Sequence, residues 1–292
     1  MKSKLVTVAE AAARVDPGST LVVGGALLRR QPMALVHELV RRRVTDLDLV
    51  TWASSLATDL LVGTGCVRSW EGIYVGLWWY GLAPSFRRAV QDGTISVIDH
   101  SESYMTARFR AAAMGLPFLP VQPIRGTGMS ERDDVATVTC PFTGADLHAV
   151  AAVEADCTIL HGYVGDQYGN VAWPVHRDSD DVDLIMAAGA RTLVVSVEKI
   201  VPHEVITQHP NLTYIPHVKV DAICEAPFGA YPGSCDTAYD EDGDELEAWA
   251  AAGRDAEAFR AYVADAVLAV PDHATFVERL GRDRLEALEV AR

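Results

Sequence analysis

The sequence lacks the cysteine spacing of a zinc ribbon or a redox pair. The sequence has five cysteines, Cys66, Cys140, Cys157, Cys224 and Cys235, and no two of them have only two residues between them. C-x-x-C chemistry is therefore excluded. An odd, unpatterned set of cysteines is typical of reduced and mostly buried thiols in a cytoplasmic protein. We predict no metal site.

Basic charge is also scarce. The 292 residues include 25 Lys and Arg against 40 Asp and Glu, a formal net charge of −15. Nucleic acids and anionic membranes bind proteins through a basic field, so neither is predicted as a partner. No apolar run approaches the roughly 18 residues of a membrane span. The first lysines lead directly into the helical pattern 8–15 without an apolar signal core, which favours a cytoplasmic location.

The sequence has neither a G-x-G-x-x-G fingerprint nor a phosphate-binding P-loop, which argues against a nicotinamide-dependent dehydrogenase. Its first strand instead runs into the adjacent glycines Gly24 and Gly25. Backbone N–H groups at such a turn can hold an anion or a developing oxyanion. Arg29 and Arg30 follow and would favour an anionic substrate. The alternative is a plain left-handed turn with two solvated arginines.

Short β-branched runs alternate with longer periodic segments. The predicted strands are Leu21–Val23, Leu47–Trp52, Ile95–Ile98, Ala155–Leu160 and Thr192–Val197. Several are apolar almost throughout, as parallel strands buried on both faces are, and a helical pattern covers Pro32–Arg43. This alternation predicts an α/β fold with an open, mainly parallel sheet flanked by helices.

Composition changes once, near Tyr231. An acidic stretch at 236–247 precedes two Ala-rich helical patterns, Leu246–Val267 and His273–Val290. No long linker separates this tail from the rest. We predict one domain over residues 1–292, with an α/β core at 1–232 and an acidic loop and helical extension at 233–292.

The segment Pro17–Pro32 resembles the first signature of the α subunits of class I coenzyme A transferases. The signature has an acidic residue and Gly, an apolar triplet, Gly-Gly-Phe and then Gly-x-Pro. Gly18, the triplet, Gly24, Gly25 and Pro32 match in register, whereas Pro17, Ala26 and Arg30 depart from the pattern. The segments Ala111–Pro120, Gly126–Gly128, His161–Asn170 and Val197–Val201 agree with later parts of the family pattern. The segments Arg29–Ala34 and Ala226–Cys235 resemble the glutaconate CoA-transferase branch.

The resemblance implies a coenzyme A transferase fold and an acyl-CoA substrate, with coenzyme A as group carrier and no permanently bound cofactor. It implies that Gly24 and Gly25 offer N–H groups to the thioester oxyanion or to coenzyme A. Gly126 and Gly128 would form a second loop of close approach. Arg29 and Arg30 would face a dicarboxylic acyl group or the phosphates of coenzyme A.

One family residue is missing. In family transferases the acyl group is accepted by a glutamate that belongs to a Ser-Glu-Asn-Gly motif of the β subunit, and this chain contains no such motif. The resemblance therefore implies half of an active site, completed by a β subunit, with an α2β2 heterotetramer expected. The predicted function is transfer of coenzyme A between dicarboxylic, glutaconate-like acids.

Glu102 lies where a strand should end and a helix begin, the usual ligand side of an open α/β sheet. The steroid-ring hydrolases of the same branch resemble this chain here and carry a catalytic glutamate at this place. Glu102 could therefore act as a base in hydrolysis or ring opening, and the branch also contains glutaconyl-CoA-type decarboxylases. The alternative is a first-turn acid after the capping residue Ser101.

One further function and several further residues have interpretations of their own. A sugar-phosphate-isomerase-like or regulatory binding protein of the same broad fold is the most distant alternative. His161 is interpreted as a core-edge histidine bonded to backbone, Asp166 and Asn170 as turn formers, and Glu198 as a surface acid. The aromatic residues 70–80 are expected in the core or at an interface.

Overall fold

A nine-stranded sheet forms the centre of the molecule in a computed structural model that describes residues 1–132, 134–175 and 182–290. The strands in these ranges are β1 (Thr20–Val23), β2 (Leu47–Thr51), β3 (Ala53–Ser54), β4 (Val67–Gly72), β5 (Tyr74–Val75), β6 (Ser96–Asp99), β7 (Phe118–Val121), β8 (Val135–Thr139), β9 (Asp146–Ala151), β10 (Cys157–Gly165), β11 (Val171–Ala172), β12 (Leu193–Ile200), β13 (Thr213–Ile215) and β14 (Ala222–Glu225). The α-helices are α1 (Val8–Ala12), α2 (Met33–Arg41), α3 (Leu56–Gly63), α4 (Pro84–Gln91), α5 (Glu102–Met114), α6 (Val182–Gly189), α7 (His203–Gln208), α8 (Gly243–Ala252), α9 (Ala256–Val263), α10 (His273–Leu280) and α11 (Arg282–Leu288).

The centre of the large sheet is parallel, in the order β14-β12-β10-β1-β2-β4-β6. The far end of β10 also pairs antiparallel with β11, which pairs in turn with β13. This arrangement confirms the predicted open, mainly parallel α/β sheet. Because these strands are parallel, the turns that follow β1, β2, β4 and β6 all lie along the edge of the sheet where the carboxyl ends of the strands meet.

The two faces of the sheet bury separate cores. Leu21 and Val23 of β1 face a core built with α1, α2 and α3, whereas Val22 faces a core that includes Met105 of α5 and Met186 of α6. Successive side chains of a strand point to opposite faces, which explains this division. Strands covered on both faces need apolar residues at nearly every position, and β1 has them.

The C-terminal residues pack into the first of these cores. Leu246, Trp249, Phe259 and Val267 are buried in it, and the Trp249 indole N–H donates a 2.8 Å hydrogen bond to Asp59 of α3. Burial raises the pKa of Asp59 to about 6. The division of the chain into a core and an extension stays a prediction.

Each of the two long C-terminal helices predicted from the sequence is interrupted, so their continuity was wrong. The first divides after Ala252, where Asp255 caps α9 through the backbone N–H groups of Glu257 and Ala258. A π-helical turn, Ala264–Leu268, follows α9. The second divides at Gly281, whose φ of 84° cannot continue a right-handed helix.

A three-stranded antiparallel sheet, in the order β7-β9-β8, was not anticipated. Of the aromatic residues 70–80, Trp70 is buried in the core whereas Trp79 is 77% exposed. β6 is the outermost strand on one side of the large sheet, and all four of its residues are exposed. No helix in the described ranges has both the length and the apolar character to span a bilayer.

We expect Phe259→Ala to destabilise the chain by about 3–5 kcal/mol, because it leaves a cavity in a shared core. The matched control is Phe142→Ala, since Phe142 is 94% exposed and its loss should change stability by about 0.5 kcal/mol or less. Urea unfolding measures both. Equal effects of the two substitutions would contradict the shared core.

Candidate active site

Glu102 lies at the edge where the parallel strands end. It is the first residue of α5, three positions after the last residue of β6, and its side chain is exposed. Ser101 caps the helix by accepting a 3.3 Å hydrogen bond from the Tyr104 N–H. Glu102 is therefore a first-turn acid, as the structural alternative predicted, and it also presents a carboxylate at the ligand side of the sheet.

A surface groove of about 620 Å³ runs from Glu102 along α5 and β7. Its lining residues are Ser101, Glu102, Ser103, Thr106, Ala107, Arg110, Leu119 and Pro120. No side chain of the described residues forms a hydrogen bond or an ion pair with the Glu102 carboxylate. A carboxylate in this state can accept a proton from a ligand or a water molecule in the groove.

A second titratable cluster lies next to Glu102. His100 Nε2 is 2.6 Å from Glu71 Oε1 at the end of β4 and 2.8 Å from an Arg108 guanidinium nitrogen, and Arg108 also pairs with Glu71. Burial, and next to it the positive charge of Arg132, lower the pKa of His100 to about 4. His100 is thus neutral at pH 7. Through Arg108 the cluster links α5 to the end of β4.

The glycine turn after β1 is tightly enclosed. A Cβ on Gly24 would lie 2.1 Å from Leu160 Cδ2, and one on Gly25 would lie 2.7 Å from the Arg29 carbonyl oxygen. The Gly25 N–H donates a 2.8 Å hydrogen bond to Asp183 Oδ1 of α6. The local fold alone therefore requires both glycines. Their predicted contact with an oxyanion stays a prediction, and it requires that Asp183 release this N–H group.

Arg30 is completely buried. Its guanidinium lies 3.3 Å from Asp183 and 3.2 Å from Asp236, and it donates a 3.4 Å hydrogen bond to the Tyr163 hydroxyl. Arg29 next to it is partly exposed. In the described chain no face of Arg30 is open to a ligand, so substrate contact by Arg29 and Arg30 stays a prediction.

Gly126 and Gly128 lie in an exposed loop that is attached to the same edge of the sheet. A Cβ on either glycine would have no neighbour within 4 Å. The Ile124 N–H donates a 3.1 Å hydrogen bond to the Tyr104 hydroxyl, and Arg132 donates a 2.6 Å bond to the Asp99 carbonyl oxygen. The loop therefore begins and ends beside the start of α5. Its role as a second ligand loop stays a prediction.

His161 and Glu198 form a buried network on β10 and β12. His161 bonds to Ser196 Oγ at 2.8 Å and to Glu198 Oε1 at 2.6 Å, so side chains rather than backbone satisfy it. Glu198 also accepts hydrogen bonds from the Tyr239 hydroxyl and from the N–H groups of Phe228 and Gly229. The interpretation of Glu198 as a surface acid was wrong, because its carboxylate is engaged by these donors. By accepting the N–H groups of Phe228 and Gly229, Glu198 holds the segment after β14.

The Asp166–Asn170 turn has the predicted form. Asp166 Oδ1 accepts the N–H groups of Tyr168 and Asn170, and Oδ2 lies 2.7 Å from Nδ1 of His203. Burial opposes ionisation of Asp166, but the hydrogen bonds from His203 and Asn170 lower its pKa overall. The turn therefore orders the end of β10.

Among the described residues, two side-chain groups have metal-ligand composition: His161, Glu198 and Cys235, and Glu71, His100 and Asp134. In each group the histidine and the glutamate already bond to each other and to further polar groups. Hydrogen bonding within the chain thus accounts for both groups. No metal site is proposed for them.

An open parallel sheet with a free carboxylate and a glycine turn at the carboxyl ends of its strands is the architecture of an α/β protein that binds its ligand at this edge. Residues 5–226 match the model of the Coenzyme A transferase family. A glutaconate CoA-transferase subunit of Acidaminococcus fermentans is 30% identical over 99% of this chain and 95% of its own length. The crystal structure of the glutaconate coenzyme A-transferase from that organism superimposes with a TM-score of 0.93 over 99% of this chain and 96% of its own.

Three further relatives widen the comparison. The cholesterol ring-cleaving hydrolase IpdA subunit of Rhodococcus jostii is 31% identical over 90% of this chain and 91% of its own length. The decarboxylase AibA/AibB has a TM-score of 0.78 at 31% identity, over 90% of this chain and 99% of its own. A 31% identical protein of Archaeoglobus fulgidus is longer, and this chain, matched over 99% of its length, spans 65% of it. The chain belongs to the class I coenzyme A transferase family, as an α-type subunit of an enzyme.

The structure divides the predicted site residues into two groups. Glu102 and the loop of Gly126 and Gly128 lie at the exposed edge, whereas Gly24, Gly25 and Arg30 lie in a buried cluster. Sequence reasoning missed Asp183, Glu71 and Arg110. An acid at the end of β4 was a usable signal for Glu71. Nothing in the spacing of Asp183 pointed to the glycine turn 158 residues away.

We expect Arg30→Met to destabilise the chain by about 3–5 kcal/mol, because it leaves a buried carboxylate without its cation. Arg29→Met should cost less, about 1 kcal/mol, since Arg29 is partly exposed and a solvent-screened charge contributes less than a buried one. Urea unfolding of the two variants is the measurement. If both losses are small and only the KM of the Arg30 variant rises, the buried structural role is contradicted.

Proposed function

We propose that this chain is the α subunit of a heteromeric transferase that exchanges coenzyme A between dicarboxylic, glutaconate-like acids. The observation that carries the proposal is the match to glutaconate CoA-transferase, which extends over 99% of this chain at a TM-score of 0.93. The match includes the C-terminal helices, which lie beyond the family model that ends at residue 226. The proposal thus rests on the whole chain.

The proposed chemistry needs a carboxylate nucleophile from outside this chain. A glutamate of the β subunit would attack the thioester carbonyl, form a mixed anhydride and release coenzyme A as a thiolate. The thiolate would then attack the glutamyl carbonyl of the anhydride, which gives glutamyl-CoA and the free acid. The reverse sequence with a second acid completes the transfer. The absence of Ser-Glu-Asn-Gly from this chain supports a nucleophile on the partner.

The same proposal covers partners and location. Two transferase relatives are each named as one subunit of their enzyme, which implies a second subunit, and we propose an α2β2 assembly in the cytoplasm. Coenzyme A enters as substrate and group carrier, and no permanently bound cofactor is proposed. Within this chain, the loop of Gly126 and Gly128 would approach coenzyme A.

Hydrolysis or ring opening is the second candidate, and one observation favours it. Glu102 is exposed in a groove of about 620 Å³, beside the cluster of Glu71, His100 and Arg108. A base in this position could remove a proton from water or from the substrate without a glutamyl intermediate. The similarity to the ring-cleaving hydrolase IpdA fits this class of reaction, whereas the similarity to a decarboxylase fits a third class, decarboxylation.

We expect the purified chain alone to show negligible acyl exchange between coenzyme A and dicarboxylates. In the complex, borohydride reduction and mass spectrometry during turnover should detect a glutamyl-CoA adduct on the β subunit, with this chain unmodified. Rapid exchange by the isolated chain would contradict the division of the site. Turnover by the complex without any adduct would favour the second candidate.

Glu102→Gln distinguishes a base from a helix-start acid. If Glu102 is a base, kcat of the complex should fall by about 10²–10⁴-fold with little change in assembly. Under the transfer proposal, kcat should stay within a few-fold, and helix stability should fall by about 0.3–1 kcal/mol. Glu257→Gln is the matched control, because Glu257 is also an exposed first-turn acid, in α9. Loss of kcat in the Glu102 variant alone would overturn transfer in favour of hydrolysis.

A further inference from the structure

The groove along α5 has opposite charges toward its two ends. Glu102 occupies the first position of the helix and Arg110 the ninth, and both line the same cavity. Arg110 is exposed, and no carboxylate of the described residues forms an ion pair with it. This guanidinium is therefore available to a ligand, in contrast to that of Arg30.

The spacing suits an acyl chain of several carbon atoms. Eight residues of an α-helix correspond to a rise of about 12 Å. Helical side chains lean toward the N-terminus, so the Arg110 side chain leans back toward Glu102 and shortens that gap. Thr106 lies between the two charged residues, and Ala107, Leu119 and Pro120 supply an apolar lining. Methylene groups can lie along such a wall while the two ends of the acyl group lie near Glu102 and Arg110.

The charges of Glu102 and Arg110 also determine the orientation in which a substrate lies in the groove. A distal carboxylate on the substrate is repelled by Glu102 and attracted by Arg110, whose planar guanidinium can donate two parallel hydrogen bonds to it. The uncharged thioester then lies at the Glu102 end, at the edge where the parallel strands terminate. In a chain of net charge −15, one arginine available in a groove is a specific attraction for an anion.

We propose that Arg110 determines specificity by binding the distal carboxylate of a dicarboxylic acyl group, with the thioester held beside Glu102. The inference rests on the proposed function, because it takes the groove as the acyl site of a coenzyme A enzyme. It assigns the anionic end of the substrate to α5 and not to the turn after β1, where Arg30 is already bound by two carboxylates.

The test uses the complete heteromeric complex and two thioesters with five-carbon acyl groups. Glutaryl-CoA carries a distal carboxylate and valeryl-CoA does not. We expect Arg110→Met to raise the KM and the calorimetric Kd for glutaryl-CoA by about 10- to 100-fold, as loss of a charge-assisted hydrogen bond does. The values for valeryl-CoA should change by about twofold or less. Arg110→Lys should retain part of the affinity, because it keeps the charge but loses the fork.

Arg87→Met is the matched control, since Arg87 is an exposed arginine within another helix, α4, outside this groove. It should leave both thioesters unaffected, and thermal unfolding should show that all variants remain folded. An equal loss for glutaryl-CoA and valeryl-CoA in Arg110→Met would assign Arg110 to the phosphates of coenzyme A and overturn the proposal. No loss for either thioester would overturn it as well.

The binding measurement separates this inference from the proposed function. A complex that binds glutaryl-CoA through Arg110 but exchanges no acyl group would contradict transfer and support the inference. A complex that exchanges coenzyme A with an unchanged glutaryl-CoA affinity in Arg110→Met would do the opposite.

Discussion

The ion pairs of the buried Arg30 guanidinium are the interaction on which the turn after β1 depends. The guanidinium lies between Asp183 of α6 and Asp236 after β14, and Asp183 also accepts the Gly25 N–H. One cation thereby joins three segments that are far apart in the sequence. Backbone hydrogen bonds reinforce this link, since Ser234 pairs with Leu28 and Arg30, and the Ala34 N–H at the start of α2 donates to the Gly229 carbonyl. A buried charge persists only when it is paired in this way.

Glu198 holds the neighbouring segment at Phe228 and Gly229 in a similar way. It accepts hydrogen bonds from His161, Tyr239, Phe228 and Gly229, and so fixes the segment that in turn holds the turn after β1. Together the ion pairs of Arg30 and the hydrogen bonds to Glu198 hold that turn in place. The residues that resemble the family signature most closely are therefore as important for architecture as for any ligand.

The start of α5 is built differently, because its polar groups face outward. His100, Glu71 and Arg108 satisfy one another beneath it, which leaves Glu102 and Arg110 exposed along one groove. β6 beside them is an exposed edge strand. The proposed acyl site thus lies on the surface of the chain, where a partner can complete it.

The sequence by itself determined the α/β class, the parallel strands and the family, because hydrophobic periodicity and a glycine turn are local properties of the chain. It also located Glu102 at a strand-to-helix junction. It did not determine the breaks after Ala252 and at Gly281, the three-stranded sheet, or the states of Arg29 and Arg30. Whether an arginine binds substrate or a buried carboxylate depends on which acids the fold brings near it. Asp183 lies 153 residues from Arg30, so only the tertiary structure decided that pairing.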